Sequence, residues 1–115
     1  MATDASCLFC KIIAGEIPSD LIYHDDRIVA FRDIAPKAPV HVLVVPRDHQ
    51  PNAAATVASD PVLVGELIAV ADSISRQSGH PSYNLLFNTG AEAGQTVFHT
   101  HLHLLAGGKI SELPV

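Results

Sequence analysis

The stretch FHTHLHLL, residues 98–105, sets histidines at 99, 101 and 103 among Thr100, Leu102 and Leu104. Side chains at alternate positions of a strand share a face, so the pattern predicts an imidazole row opposite an apolar row, with ~6.6 Å between successive rings. Imidazole has a reference pKa of about 6.5, so its neutral form is available near pH 7 to bind a metal or attack an electrophile. The plainer alternative for any single one is a hydrogen-bonded strand histidine. Three on one face favour chemistry, because each desolvated ring needs a partner. Cys7 and Cys10 form a C-x-x-C pair. With histidines they could complete a tetrahedral zinc site, although spacing alone does not choose which histidines join. Asp33, just after a predicted strand, could accept hydrogen bonds from a sugar diol or could be a solvated loop residue. Gly94, Gln95 and Thr96 immediately precede the histidines. A glycine that permits close approach, backbone N–H groups and a hydroxyl could together hold phosphate oxygens.

These residues need elements to position them. CLFCKIIAGEI, residues 7–17, has Leu8, Ile12 and Ile13 at helical spacing with Gly15 as a stop, and Pro18 redirects the chain. Residues 21–31 read as a hairpin turning at Asp25-Asp26. Residues 32–39 hold two prolines and read as a loop, as do residues 47–52. HVLVVP, residues 41–46, is a β-branched strand ended by Pro46. The long helix spans about 60–78: Ser59 or Asp60 caps it, Pro61 suits its first position and Gly79 its end. Leu63, Leu67, Val70, Ala71 and Ile74 share one face of it. YNLLFN, residues 83–88, is a strand, and the histidine stretch is the last strand. The order α, ββ, β, α, ββ predicts an α+β fold, an antiparallel sheet with helices on one face.

The 115 residues fit one domain and contain no internal repeat. Hydrophobic residues make up 48% and charged residues 17%, enough for a core and unlike a disordered chain. A net charge of −5 argues against a general nucleic-acid binder but leaves room for a nucleotide ligand. No apolar run approaches the ~20 residues of a membrane span. The start lacks the basic and apolar regions of a signal peptide, so the expected location is cytoplasmic. There, C-x-x-C reads as metal or redox before structural disulfide.

HTHLHLL resembles the signature of the histidine triad (HIT) proteins, which are nucleotide-binding hydrolases and transferases. The similarity covers nearly the whole chain. CLFCKIIAGEIPSDLIYHDDRIVAFRDIAPKAPVHVLVVPRDH is similar to the amino-terminal half of the histidine triad nucleotide-binding, or phosphoramidase, branch, and NTGAEAGQTVFHTHLHLLAGG to its active-site half. The resemblance implies a single HIT domain over 1–115, with an antiparallel sheet of about five strands, one long and one short helix, and a homodimer that joins two sheets into one.

The resemblance also implies roles. His101 would be the nucleophile toward the α-phosphorus of a purine nucleoside 5′-phosphoramidate or related mixed anhydride, giving a nucleotidyl-histidine that water hydrolyses. A backbone carbonyl near His99 would orient its ring. His103 would contact phosphate, and His41 would neighbour the nucleophile. Asn88 and Thr96 would lie near the phosphate and leaving group, with Gly94 and Gln95 beside them. Asp33 would bind the ribose hydroxyls. Phe9, Ile12, Phe31, Ile34 and Leu43 would form the apolar base pocket, where the alternative is plain core packing. Cys7, Cys10, His49 and His99 match the ligands of a structural zinc found in some members. Such a closed set leaves no open position for catalysis. The sequence departs from the pattern at Thr100, where an apolar residue is usual and which should face away from the substrate. It also departs in its tail, ISELPV, with no tryptophan, which leaves the preferred leaving group open.

Three other functions compete. A dinucleoside polyphosphate hydrolase or nucleotidylyl transferase would share His101 but prefer another leaving group. A nucleotide-binding module would bind without turnover. A catalytic metal site would use the three histidines as ligands.

Overall fold

The computed structural model describes residues 2–109; the tail at 110–115 lies outside the described residues. In chain order the elements are α1 (Leu8–Ile13), β1 (Leu21–His24), β2 (Ile28–Arg32), β3 (Val40–Pro46), α2 (Ala53–Ser59), α3 (Pro61–Gln77), β4 (Asn84–Leu86), a single 3₁₀ turn at Ala91–Ala93, and β5 (Leu102–Ala106). The five strands form one antiparallel sheet in the order β1-β2-β3-β5-β4. The fold is α+β, as the sequence predicts.

Period-two alternation divides the sheet into two faces. Ile28, Ala30, Val42, Val44, Leu102, Leu104 and Ala106 point to one side and pack on Leu63, Leu67, Ala71 and Ile74 of α3. Val29, Phe31, Leu43 and Val45 point to the other side and pack on Phe9, Cys10 and Ile12 of α1. Helices therefore cover both faces, which corrects the expectation of helices on one. The strands themselves carried this information, because β2 and β3 are buried at every position but Arg32 and need cover on both sides.

Local chemistry fixes the boundaries. In the β1–β2 turn, Asp25 Oδ1 accepts the backbone N–H groups of Arg27 and Ile28, each at 2.8 Å. Asp60 caps α3 by accepting from the Leu63 N–H at 3.2 Å, with Pro61 as the first helical residue. The short α2 has no counterpart among the elements the sequence predicts. Asn52 caps it, its Oδ1 taking the Ala55 N–H at 2.9 Å, but seven residues without a continuous apolar stripe carry little periodic signal.

The last strand is shorter than the sequence suggests. The β3–β5 ladder runs from Val40↔Ala106 to Val44↔Leu102 and stops. His99, Thr100 and His101 precede it, and their polar groups bond elsewhere: the Thr100 N–H donates to the Gln50 carbonyl at 2.9 Å. The face alternation still holds there. Thr100 points toward α2, with its Oγ1 2.7 Å from Thr56 Oγ1, while the rings of His99 and His101 both meet Phe9 on the α1 side. The regular row of three imidazoles is thus broken at one point: His101 and His103 stay neighbours, while the His99 ring turns to Cys7, Cys10 and His49.

Candidate functional site

The α1 face of the sheet carries His41 on β3 and His103 on β5, with His101 just before β5. His41 is two residue pairs from His103 along the ladder, and so on the same face of the sheet, since His103 lies opposite Leu43 and Leu105 opposite His41. The three rings open onto a cavity of about 490 Å³ between α1, the 32–37 loop and the 88–97 loop. Its apolar wall holds Phe9, Ile12, Phe31 and Leu43, and Ile34 stands at the rim, 97% exposed. Asp33, Asn88, Gly94 and Thr96 add polar groups to the lining.

Backbone contacts assign the imidazole tautomers. His101 Nδ1 lies 2.7 Å from the His99 carbonyl oxygen. That oxygen can only accept, so Nδ1 carries the proton and Nε2 keeps its lone pair. His41 Nδ1 accepts the Lys37 backbone N–H at 3.0 Å, so its proton sits on Nε2, which donates to His103 Nδ1 at 2.9 Å. His103 therefore carries its own proton on Nε2. The outcome is one imidazole presenting a lone pair beside another presenting an N–H, with ring centres 5.0 Å apart. Burial lowers the pKa of His41 and of His101. Burial, and then the neighbouring His101 and His41, push His103 down to about 4. The shifts all favour the neutral ring, the form that offers a lone pair.

The loop before the histidines supplies the opposite wall. Gly94 adopts a φ of +91°, a conformation that other residues rarely take, and Asn88 Nδ2 donates to the Ala93 carbonyl at 2.9 Å. Gln95 differs from its expected position beside the ligand. It is 3% exposed and does not line the cavity. Its Oε1 accepts from the Gly90 N–H at 2.9 Å, and its Nε2 donates to the carbonyls of Pro51 and Val97 at 2.6 and 3.0 Å. A side chain that braces the loop from beneath is not free to contact phosphate. Asp33 keeps one oxygen on the Ala35 N–H at 2.8 Å, while the other is 3.6 Å from His41 Nε2, beyond a hydrogen bond.

A second cluster lies behind the cavity. Cys7, Cys10, His49 and His99 bring one donor atom each within 4.8 Å of one another. His99 Nε2 donates to the Pro46 carbonyl at 2.7 Å, so its Nδ1 lone pair faces Cys7 Sγ at 3.4 Å, Cys10 Sγ at 3.6 Å and His49 Nδ1 at 3.1 Å. Cys10 Sγ is 3.5 Å from His49 Nδ1. Tetrahedral zinc, with bonds of about 2.0–2.1 Å to nitrogen and about 2.3 Å to sulfur, would separate its ligands by roughly 3.3–3.8 Å. The donor set fits a tetrahedral metal ion. Burial pushes the Cys10 thiol up and His99 down to about 4, so a cation at the centre would favour the thiolates while leaving the imidazole neutral. The same spacing separates this cluster from a metal role for the triad as a whole, because His99 turns to the cysteines and His101 to the cavity. A further grouping of Asp33, His41 and His103 could also approach a metal, but its His41–His103 hydrogen bond already occupies one donor from each ring.

Residue types could not have disclosed several of these parts. The carbonyls of His99 and Pro46 and the N–H of Lys37 orient three imidazoles, and every residue has such groups. Ile17, Pro18 and Ser19 also border the cavity, brought there by the chain reversal after α1.

The fold and site define a class: a small α+β domain with an oriented imidazole at an open, partly apolar cavity. The HIT domain family matches residues 14–110, and the chain belongs to that family. The purine nucleoside phosphoramidase of Escherichia coli strain K12 is 44% identical over 102 residues, covering 87% of this chain and 86% of that protein. A HIT family hydrolase from Clostridium thermocellum superposes with a TM-score of 0.89 at 41% identity, covering 94% of this chain and 96% of the other. A histidine triad protein from Clostridium difficile gives the same TM-score at 38% identity and the same coverage of both chains.

Proposed function

We propose that this protein is a nucleotide-binding hydrolase that cleaves purine nucleoside 5′-phosphoramidates, or aminoacyl-adenylates, through a covalent intermediate on His101. The observation that carries the reading is the 2.7 Å contact from His101 Nδ1 to the His99 carbonyl, which leaves the Nε2 lone pair for attack at the cavity. The likeness to a purine nucleoside phosphoramidase supports the substrate class.

In this reading the base lies among Phe9, Ile12, Phe31, Ile34 and Leu43, and Asp33 accepts the ribose hydroxyls. His103 Nε2–H, the Thr96 hydroxyl, the Gly94 backbone and Asn88 surround the phosphate, and Gln95 supports their loop. His101 Nε2 forms a bond to the α-phosphorus as the P–N bond breaks. The amine departs with the P–N bonding pair and takes up a proton from solvent. The imidazolium so formed keeps Nδ1–H on the His99 carbonyl, which stabilises its charge. Water then displaces the ring and releases the nucleoside monophosphate. His41 holds His103 in its donor tautomer throughout.

Cys7, Cys10, His49 and His99 hold a structural zinc in this proposal. When bound, the ion supplies folding free energy and no open coordination position. Two copies pair at the sheet edge formed by β4 to give a homodimer with a continuous sheet. Among the described residues, no helix is long and apolar enough to cross a membrane.

The test is His101→Ala against adenosine 5′-phosphoramidate and a diadenosine polyphosphate. The intact protein turns over the first faster, and the variant turns over neither but still binds adenosine monophosphate. Full activity in the variant would remove His101 as nucleophile. Faster cleavage of the polyphosphate would shift the reading to the alternative leaving group.

A further inference from the structure

We propose that the Cys2His2 cluster is a positioning device for His101, so that the metal-ligating residues set the orientation of the nucleophile as well as the stability of the fold. This rests on the reading of His101 as nucleophile. One peptide unit links the cluster to the nucleophile. The carbonyl that accepts His101 Nδ1–H belongs to His99, and the amide N–H of the same peptide unit belongs to Thr100. One side of that unit is tied to a residue of the cluster and the other to the chain neighbour of one. On one side, the His99 ring is wholly buried with Nδ1 among Cys7, Cys10 and His49. On the other, the Thr100 N–H donates at 2.9 Å to the carbonyl of Gln50, the residue after the ligand His49.

A rotation of this peptide plane would swing the carbonyl away from His101, and a hydrogen bond weakens steeply as its angle closes. The ring would then be free to exchange tautomers and to move its lone pair off the reaction axis. Phe9 makes a second connection. It sits between Cys7 and Cys10 in sequence, and its ring meets His101 edge-on with centroids 5.0 Å apart and His99 at 6.0 Å. Drawing the two sulfurs together therefore sets the wall against which the nucleophile rests. His41 and His103 share none of these ties. Strand pairing between β3 and β5 places them, and the Lys37 amide fixes their tautomers. They form an internal reference in the same cavity.

The experiment is nitrogen-15 NMR of the histidine rings in the intact protein, loaded with zinc, stripped by a chelator, and reloaded with zinc or with cadmium. Loaded protein should show His101 as a single Nδ1–H tautomer with a slowly exchanging proton. Stripping should mix its tautomers and speed that exchange about tenfold or more, with kcat on the phosphoramidate falling by about ten- to a hundredfold. Zinc should restore both together, while the His41–His103 tautomers stay fixed and their signals shift far less than that of His101. The larger cadmium ion should shift the His101 signal and not the reference pair, which decides the matter even if stripped protein unfolds. The proposal is overturned if no metal is taken up, if His101 signals ignore both metal removal and metal exchange, or if the reference pair changes as much as His101. The ring spectrum does not depend on turnover, so loss of the nucleophile reading by His101→Ala would be seen separately.

Discussion

The two ends of the segment from His99 to His103 carry the same residue type and behave differently. At the strand end, His103 is held by the sheet ladder and by His41, its ring nitrogens are divided between a neighbour and the cavity, and its backbone is regular. At the other end, His99 lies outside the ladder, donates to the Pro46 carbonyl, and turns its remaining nitrogen to two cysteines and a histidine. His101 stands between them and takes its orientation from the backbone of the second end and its ring neighbour from the first. What an imidazole can do follows from what its other nitrogen is bonded to, and a bond to a backbone carbonyl is enough to leave the remaining nitrogen with its lone pair.

Substitutions can break this contrast, and the largest effect belongs to the middle residue. His101→Ala should lower kcat by about 10⁴-fold or more, measured in single-turnover assays, with adenosine monophosphate affinity within a few-fold of the parent. Cys10→Ser acts from the His99 end. It should abolish stoichiometric metal, checked by atomic emission, and lower the thermal midpoint by ten degrees or more, on the order of the loss of a structural ion. His41→Ala acts on the strand end alone. It should leave metal content unchanged and reduce kcat by about 10–100-fold, because His103 then loses the donor that fixes its tautomer. Asp33→Ala should raise the dissociation constant for adenosine monophosphate by about tenfold, and much less for a 2′,3′-dideoxy analogue that lacks the diol.

The pH response is the smallest effect, and both ends of the segment share it, since His99 is also pushed down to about 4. Burial holds His103 at about 4 in the folded protein, against about 6.5 for a free imidazole. The unfolded chain therefore binds more protons than the folded one between these values, and stability falls as pH drops from about 6.5 to about 4. Urea midpoints across that range should show the decline, and His103→Asn should flatten part of it. Because burial also lowers the pKa of His101, turnover should persist below pH 6.5 before failing as that ring protonates.

Much of the fold was legible because its signals are local. Asp60-Pro61 and the apolar spacing from Leu63 to Ile74 mark α3 without reference to any other element. The turn at Asp25 is likewise encoded by a side chain that bonds its own neighbours. Less local features escaped. The short α2 has a cap but no stripe, and the early end of β5 depends on Gln50, a residue half the chain away. Gln95 looked like a ligand contact because it sits in the right loop, yet three hydrogen bonds turn its side chain inward.

For the site, the sequence alone determined its chemical inventory: three alternating histidines, a cysteine pair, an aspartate after a strand and a glycine loop, with alternation placing Thr100 opposite the rings. The tertiary structure alone decided the division of labour. Which nitrogen of each imidazole keeps its lone pair depends on the carbonyls of His99 and Pro46 and the amide of Lys37, and these are groups that every residue carries. Only folding brings a particular one within hydrogen-bond distance of a particular ring, and that distance fixes which nitrogen keeps its lone pair.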